Sequence, residues 1–241
     1  MDEKWSFVGK KQANCDADDP RKGDCWDHVA FDPEHRLVVS VVPGKRTTDN
    51  VVELVKDFKR RTGGRIMNLI TTDEFPAYKV AILQVYGYRV VPLRQYKPGQ
   101  HKRPYLSPPR QLTYATVHKT RENGRVVKVE PRLVFGTPES LAKAIEKSSC
   151  SWAVNTAFIE RQNGTDRHRN SRKVRQTCGF SKEWDVHAAM TCFTMYSYNF
   201  CWPVRTLRKD KKQRTPAMAA GLTDHVWSLR EWITLPAIQS W

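Results

Sequence analysis

The chain has 241 residues, of which 39% are hydrophobic and 27% charged, with a formal net charge of +16 at pH 7. This composition suits a globular protein with a real core, and the 10% of aromatic residues argues against general disorder. No apolar run reaches the roughly 18 residues that a membrane-spanning helix needs. The polar start, Met1-Asp2-Glu3-Lys4-Trp5, has no signal-peptide character either. We therefore expect a cytoplasmic protein without a membrane partner.

The positive charge is unevenly distributed along the chain. The first 80 residues hold 14 bases and 14 acids, whereas residues 81–241 hold 27 bases and 11 acids. A basic excess of this size indicates a polyanionic partner, most often nucleic acid. The alternative is a basic protein with no such partner.

The six cysteines have no C-x-x-C spacing, which favours reduced thiols in a reducing compartment. Cys15 and Cys25 flank an acidic loop with His28 nearby. This trio is a candidate zinc site, although its spacing differs from that of standard zinc motifs.

Three strands are predicted first, over residues 4–9, 26–31 and 37–42. Pro33 fixes a turn between the second and third strands. The third, Leu-Val-Val-Ser-Val-Val, is continuously apolar, as a central strand should be. We expect these strands to form an antiparallel meander.

Helices and strands alternate after the meander. A helix capped by Asp49 or Thr48 has an apolar stripe, with Gly63-Gly64 at its end. A buried strand over 66–70, a helix over 77–86 and a strand over 88–92 follow. The order β-β-β-α-β-α-β is that of the ribonuclease-H-like fold, so we predict an α/β protein with a mixed sheet and flanking helices.

The rest of the chain is predicted to contain a β-hairpin and several helices. An exposed loop over 94–110 precedes strands at 112–118 and 125–135, which Asn123-Gly124 joins. Thr137 caps a helix that reaches about Ser148. Further helices are expected over 152–177 and 184–200. These elements divide the chain into the first part of a ribonuclease-H-like core (1–93), an insertion containing the hairpin (94–150) and a basic, helical C-terminal region (151–241).

Two aspartates are candidate metal ligands. Asp73 follows a buried strand, at the sheet edge where sites form in α/β proteins, and Asp2 precedes the first strand. If the first and fourth strands are neighbours, the two carboxylates approach each other. Such a pair suits Mg²⁺ or Mn²⁺, and two such ions activate a hydroxyl and stabilise the leaving oxygen of a phosphodiester. The alternative is that each aspartate is a turn or cap residue.

Glu160 is the third candidate ligand. Asn163 and Arg167 follow it at i+3 and i+7, so the three are expected to share one face of a helix. A guanidinium on the same face as a metal-binding carboxylate suits a phosphate bound beside the metal. A basic stretch around and after Glu160 is a candidate DNA-binding track, or else an ordinary solvated helix face. The candidate DNA-binding side chains are Arg161, Asn163, Arg167, Arg169, Arg172, Lys173 and Arg175.

Motifs for other chemistry are missing from the sequence. It has no G-x-x-x-x-G-K phosphate loop and no G-x-S-x-G nucleophile motif. The histidines form no recognisable catalytic set.

Several segments, in order, resemble the catalytic domain of transposases of the insertion-sequence-one family. The similar segments are residues 1–11 (MDEKWSFVGKK), 72–78 (TDEFPAY), 155–163 (NTAFIERQN), 180–182 (FSK), 198–201 (YNFC) and 215–222 (TPAMAAGL).

The resemblance implies a DDE (Asp-Asp-Glu) transposase on a ribonuclease-H-like fold. Residue by residue, it places the metal-binding and catalytic carboxylates at Asp2, Asp73 and Glu160, with a basic residue at Arg167. It implies Mg²⁺, or Mn²⁺, as cofactor, and DNA as partner, both transposon ends and target. It also implies a homo-oligomer on DNA, located at a prokaryotic nucleoid.

The chain departs from the family pattern at three points. Asp73 and Glu160 are 87 positions apart, more than in compact members. Trp202 and Val204 stand where the family usually has Arg and His. The N-terminal zinc-finger or helix-turn-helix region of family members has no counterpart, so we expect the chain to be the second frame of a two-frame element or a fragment, with an upstream-frame protein or domain supplying end recognition. Asp2 is the weakest assignment, and Glu3 or Asp27 are its alternatives.

Two other functions remain open from the sequence. One is a non-catalytic DNA-binding remnant or regulator of transposition, which would have the basic field but no productive site. The other is a different ribonuclease-H-like nuclease, acting on RNA–DNA hybrids or junctions. Metal-dependent cleavage of DNA would distinguish a transposase from a non-catalytic remnant or regulator. The choice between DNA and RNA–DNA hybrids or junctions as substrate would distinguish it from another ribonuclease-H-like nuclease.

Overall fold

A computed structural model describes residues 1–16, 19, 21–92, 103–174 and 176–234. The strands are β1 (Asp2–Val8), β2 (Gly23–Asp32), β3 (Leu37–Gly44), β4 (Ile70–Thr72), β5 (Tyr88–Val90), β6 (Tyr105–Ser107), β7 (Tyr114–Glu122) and β8 (Arg125–Phe135). The α-helices are α1 (Thr48–Arg61), α2 (Pro76–Tyr86), α3 (Pro138–Glu146), α4 (Ala157–Arg169), α5 (Trp184–Cys201), α6 (Pro216–Ala219) and α7 (Leu229–Thr234). The structure confirms that the protein belongs to the predicted α/β class.

Contacts divide the chain into two compact units. The first unit consists of residues 1–2 and 46–156. The second consists of residues 3–45 and the described residues from 157 onward. Each unit has its own sheet and helices.

The second unit is built on the sheet β1-β2-β3, with β2 in the centre. β2 and β3 are antiparallel, from Trp26 opposite Gly44 to Asp32 opposite Leu37, as predicted for a meander. Helix α5 packs on β3. The core between them combines apolar side chains of both elements with one from β2 and one from α4: Val29, Val38, Val41, Ile159, Met195 and Tyr198.

A buried amide joins α5 to β3. The side chain of Asn199 accepts a hydrogen bond from the Val38 amide (2.9 Å) and donates one to the Val38 carbonyl (2.8 Å). It therefore satisfies both backbone groups of Val38, as a neighbouring strand would.

The first unit contains a second sheet, with strand order β4-β7-β8. β4 pairs with β7 in parallel, and β7 pairs with β8 antiparallel. Asn123 and Gly124, which connect β7 to β8, both have positive φ values (49° and 77°), as a type I′ hairpin turn requires. The predicted hairpin is confirmed, and the first part of β7, from Tyr114 to Val117, is buried in the sheet that contains β4.

Helix α1 follows from its apolar spacing. Val51, Val55 and Phe58 are buried on one face, and Lys59, Arg60 and Arg61 lie in the last turn, where the helix dipole favours cations. Thr47 is the N-cap: its hydroxyl accepts a hydrogen bond from the Asn50 amide. The predicted caps, Thr48 and Asp49, are wrong by one or two residues.

Other boundaries also differ from the predictions. β4 begins at Ile70, so residues 66–69 are not a strand. β5 pairs with β6, which lies inside the stretch 94–110 that the sequence predicts to be a loop. Residues 94–102 of that stretch lie outside the described residues. α4 begins at Ala157 and ends at Arg169, because the Asn170 side chain accepts the amide of Arg172 and caps a short 3₁₀ turn instead.

No helix among the described residues is long and apolar enough to cross a membrane.

Candidate metal centre and nucleic-acid-binding residues

Asp73 is held in a defined position at the end of β4. The buried Thr72 hydroxyl donates to the Asp73 carbonyl (2.5 Å) and is 2.8 Å from the Tyr114 hydroxyl, which therefore donates to Thr72. The Asp73 carboxylate accepts the amide of Phe75 at 3.2 Å. One carboxylate oxygen is thus used by the turn into α2, and the carboxylate as a whole is partly exposed.

Asp2 lies beside Asp73. The amino group of Met1, which is buried, donates to the carbonyl of Thr71 at 2.6 Å and so anchors this end of the chain next to β4. Carboxylate oxygens of Asp2 and Asp73 lie within 4.8 Å of each other. The two side chains that the sequence pairs, 71 positions apart, are therefore brought together.

Two carboxylates at this separation repel each other when both are ionised, and a divalent cation between them relieves that repulsion. The donor set consists of hard oxygens from partly exposed side chains, which leaves coordination positions for water or substrate. These features fit Mg²⁺ or Mn²⁺ better than zinc. A cluster of acidic groups also occurs in proteins without bound metal, so the geometry fits a metal without requiring one.

The neighbours of Asp73 are fixed in other roles. Burial raises the pKa of Tyr114 to about 12, an effect to which the Asp73 charge adds and which the Thr72 hydrogen bond opposes, so the phenol stays a neutral donor. Glu74 contacts Nδ1 of His118 (2.5 Å) and the Arg132 guanidinium (2.9 Å), and the His118 hydrogen bond and these charges lower the pKa of Glu74. Glu74 therefore ties the start of α2 to β7 and β8.

Glu160 belongs to the second unit. It is exposed in the first turn of α4, whose buried face consists of Ile159, Gln162, Asn163 and Asp166. Seven residues of α-helix return to within about 20° of the starting direction. Arg167, which is half-buried, therefore shares the Glu160 flank of the helix, as predicted, whereas Asn163 is 5% exposed and faces the core. Asn163 is thus wrongly placed among surface DNA contacts, because that position lies on the buried face of α4.

A buried ion network lies in the second unit and includes one of the candidate DNA-binding residues. The Lys173 ammonium is 2.5 Å from the Asp27 carboxylate and 3.8 Å from that of Asp166. Lys4 also contacts both aspartates, at 3.3 Å for Asp27. Thr194 donates to the second oxygen of Asp166 (3.0 Å). All four charged side chains are 0–2% exposed.

The network corrects two sequence-based assignments. Lys173 has no exposed side-chain surface with which to reach a phosphate, so its place in the DNA-binding set is wrong. Asp27 is neutralised by two ammonium groups, so it is not available as the alternative to Asp2. Glu3, the other alternative to Asp2, is buried, and it stays an alternative because its carboxylate belongs to the same acidic group as those of Asp2 and Asp73.

The remaining basic candidates differ in exposure. Arg161 is exposed, and Arg172 is half-buried. Arg169 is also half-buried: it donates to the Thr194 carbonyl (3.0 Å), and its guanidinium lies 4.9 Å from the ring centroid of Trp202. Arg175 lies outside the described residues.

Cys25 has no link to Cys15 in the described structure. The Cys25 thiol lies close to the Asp27 carboxylate and to the His187 imidazole, whose Nε2 faces Asp27. All three side chains are buried. Burial raises the pKa of the Cys25 thiol to about 12, with the Asp27 charge adding to the effect. A protonated thiol and a carboxylate already paired with two lysines do not favour a metal, and among the described residues Cys15 belongs to no metal-ligand cluster.

Sequence reasoning missed the ion network, although two signals for it exist. Lys4 lies in a strand with aromatic and apolar neighbours, and Asp166 is the lone acid in the basic stretch after Arg161. An isolated charge in either setting is a candidate for a buried pair.

No protein-family profile matches the chain, and no curated protein or solved structure shows a significant match to it.

Proposed function

We propose that this chain is the catalytic part of a DDE transposase that carries out magnesium-dependent DNA strand cleavage and strand transfer. The observation that carries the proposal is the approach of Asp2 to Asp73 within 4.8 Å. These positions match the first two acidic motifs of the insertion-sequence-one family, and nothing local in the sequence requires them to meet.

A ribonuclease-H-like fold is part of the proposal. It is supported by the meander β1-β2-β3 followed by α1, and by β4 in parallel pairing with β7. Asp2, at the start of β1, and Asp73, just after the end of β4, lie together in the first unit, as the metal-binding pair of the proposal requires.

The proposed reaction needs three carboxylates, with Glu160 as the third. Mg²⁺ or Mn²⁺, when bound, lowers the pKa of a water or 3′-hydroxyl and stabilises the oxygen that leaves phosphorus. The Asp73 carboxylate is oriented for this role by the Phe75 amide. Arg167 would contribute a guanidinium for the phosphate, because it shares the Glu160 side of α4.

The proposal implies further partners. Transposon ends and target DNA would be bound together, by a homo-oligomer and with an upstream-frame protein or domain that recognises the ends. The protein would act at the nucleoid. The +16 charge, all of it gained after residue 80, supports a polyanionic partner.

A plasmid-nicking assay tests the proposal. Supercoiled DNA is incubated with the protein in Mg²⁺, Mn²⁺ or EDTA, and nicked circles are quantified. Asp73→Asn and Glu160→Gln should abolish metal-dependent nicking with less than a twofold change in DNA affinity, whereas Glu139→Gln, on the surface of α3, should retain nicking. Binding without nicking in either metal would favour a non-catalytic remnant, and selective cleavage of RNA–DNA hybrids would favour another ribonuclease-H-like nuclease.

A further inference from the structure

A short, basic hairpin follows α5. Residues 205–214 contain six bases and one acid, Asp210; the bases are Arg205, Arg208, Lys209, Lys211, Lys212 and Arg214. All of these bases are exposed except Arg214, which is half-buried. We call residues 205–214 the basic hairpin.

Hydrogen bonds define the conformation of the basic hairpin. Its base is closed by the Val204 amide donating to the Arg214 carbonyl (2.9 Å). At its tip, Lys209 and Lys212 exchange backbone hydrogen bonds of 3.2 and 2.9 Å. The next element begins with Thr215, which is fully buried and caps α6. The cationic side chains are therefore carried on a fixed backbone.

The turn at the tip has a backbone conformation that is unfavourable for the residues that form it. Asp210 and Lys211 have φ values of 51° and 62°, the pair of left-handed residues that a type I′ turn needs and that Asn-Gly would supply more readily. It also holds three lysines close together, which repel one another. The tip thus combines backbone strain with like charges, two features that destabilise the element and that occur together at binding sites.

Trp202 lies next to the basic hairpin and is 50% exposed, an unusual state for so large an apolar side chain. Its ring is packed on one side against the Arg169 guanidinium, which the Thr194 carbonyl holds in place. The indole is thus oriented before any ligand binds, with half of its surface in solvent.

We propose that Trp202 and the basic hairpin form a binding surface for single-stranded DNA. An unpaired base stacks on the indole, and the neighbouring phosphates are neutralised by the exposed lysines and arginines of the basic hairpin. Proteins that bind single strands combine aromatic platforms with basic tracks in this way. Duplex DNA offers only phosphates to this surface, because its bases are already stacked. The proposal does not depend on the metal centre, since binding is measurable in EDTA.

The first experiment separates stacking from charge. Affinities of the full chain for a dT20 single strand and for a duplex of equal length are measured in EDTA. Trp202→Ala should weaken single-strand binding by about five- to 150-fold and change duplex binding less than twofold. Trp202→Phe should restore most of the single-strand affinity, whereas Trp202→Leu, which keeps an apolar contact for Arg169 but has no π face, should not. Equal losses on both probes, or no loss on dT20, would overturn the proposal.

The second experiment concerns the phosphates. Arg205, Lys209 and Lys212 are changed together to Gln, which leaves the left-handed residues at the tip intact. The slope of log affinity against log salt on dT20 should fall by up to about 2, at about 0.7 for each phosphate that is no longer neutralised. A matched triple change in the first unit, of the exposed Lys79, Lys143 and Lys147 to Gln, removes the same charge and should alter the slope by less than half as much. Equal changes of the salt slope in the two triple variants would show that charge acts diffusely, and would contradict a binding surface at the basic hairpin.

Discussion

The Lys173 ammonium lies 2.5 Å from the Asp27 carboxylate, and neither side chain has exposed surface. Lys4 and Asp166 complete a buried set of two cations and two anions. The four residues lie in β1, in β2, in α4 and in the 3₁₀ turn that follows α4. The network thus links segments of the second unit that are more than 140 positions apart in the sequence.

Removing one member of this network should destabilise the protein strongly. Lys173→Ala leaves Asp27 with only Lys4 as a close cation, and breaking a buried pair typically costs about 3–5 kcal/mol. Arg60→Ala, which breaks a surface pair with Asp57, should cost less than about 1 kcal/mol. Urea unfolding measures both; a Lys173→Ala cost as small as that of Arg60→Ala would show that the pair contributes little.

The network also predicts how stability depends on acid. Burial alone would raise the pKa of the Asp27 carboxyl, but the charges of Lys173 and Lys4 and the contact with His187 outweigh burial and hold the pKa well below its ordinary value. The unfolded chain therefore takes up this proton at higher pH than the folded protein. The stability contributed by Asp27 is complete above about pH 5 and is lost as the pH falls below about 4.

Asp27→Asn tests this expectation. Its free energy of unfolding should fall less steeply between pH 5 and pH 3 than that of the unchanged protein, by up to about 1.4 kcal/mol per pH unit for one proton. Asp224→Asn is the control, because the Asp224 carboxyl also has a lowered pKa, through its hydrogen bond with His225, but is fully exposed. Identical slopes for Asp27→Asn and the unchanged protein would refute the assignment.

Local patterns predict the secondary structure well where local physics decides it. The stripe Val51, Val55 and Phe58 predicts α1, and Asn123-Gly124 predicts the β7–β8 turn. Pairing between distant segments is not readable in the same way: β5 joins β6 across residues 93–102, and nothing in Tyr88–Val90 names its partner. Propensity is a local quantity, whereas strand pairing depends on the whole chain.

The burial of the candidate site residues could not be predicted from the local sequence either. A basic run such as Arg172-Lys173 looks uniform in sequence, yet Arg172 is half-buried and Lys173 is fully buried beside Asp27. The difference arises because the 3₁₀ turn after α4 directs one side chain inward. Asp2 and Asp73, by contrast, are predicted as a pair because each lies at the end of a strand, and their approach within 4.8 Å agrees with that expectation.

Metal binding at Asp2 and Asp73 should appear as stabilisation. A ligand that binds the folded state adds about 2.7 kcal/mol at 100 times its Kd. Mg²⁺ should therefore raise the free energy of unfolding of the unchanged protein, and Asp73→Asn should remove most of the increase. The Asn side-chain oxygen still accepts the Phe75 amide, so this variant keeps the turn, and without metal it should be at least as stable because a like-charge repulsion is gone. Glu53→Gln, exposed on α1, should keep the Mg²⁺ response. An equal response in Asp73→Asn would place the metal elsewhere.

The last prediction concerns sequence recognition. The chain should bind duplex DNA with little sequence preference, because its exposed cations suit phosphate contact more than base reading. In competition at physiological salt, element-end DNA should be preferred over scrambled DNA by less than a hundredfold, about 2.7 kcal/mol.

A larger preference would mean that the chain has its own reader of bases, and the β7–β8 ribbon is the structural candidate. Beyond His118 its side chains lose the burial seen at Tyr114 to Val117, and Val126, Val127 and Val129 are 45–52% exposed. Such a two-stranded ribbon fits the major groove, which is about 12 Å wide. Thr120 and Lys128 face each other in the ladder, so residues 121–127 can be replaced by Asn-Gly to give a shorter hairpin with the same pairing below it. If the ribbon reads bases, this shortened protein should lose the preference and keep its phosphate-driven, salt-dependent affinity. If the prediction of low preference holds, shortening the ribbon should change the ratio of the two affinities less than twofold.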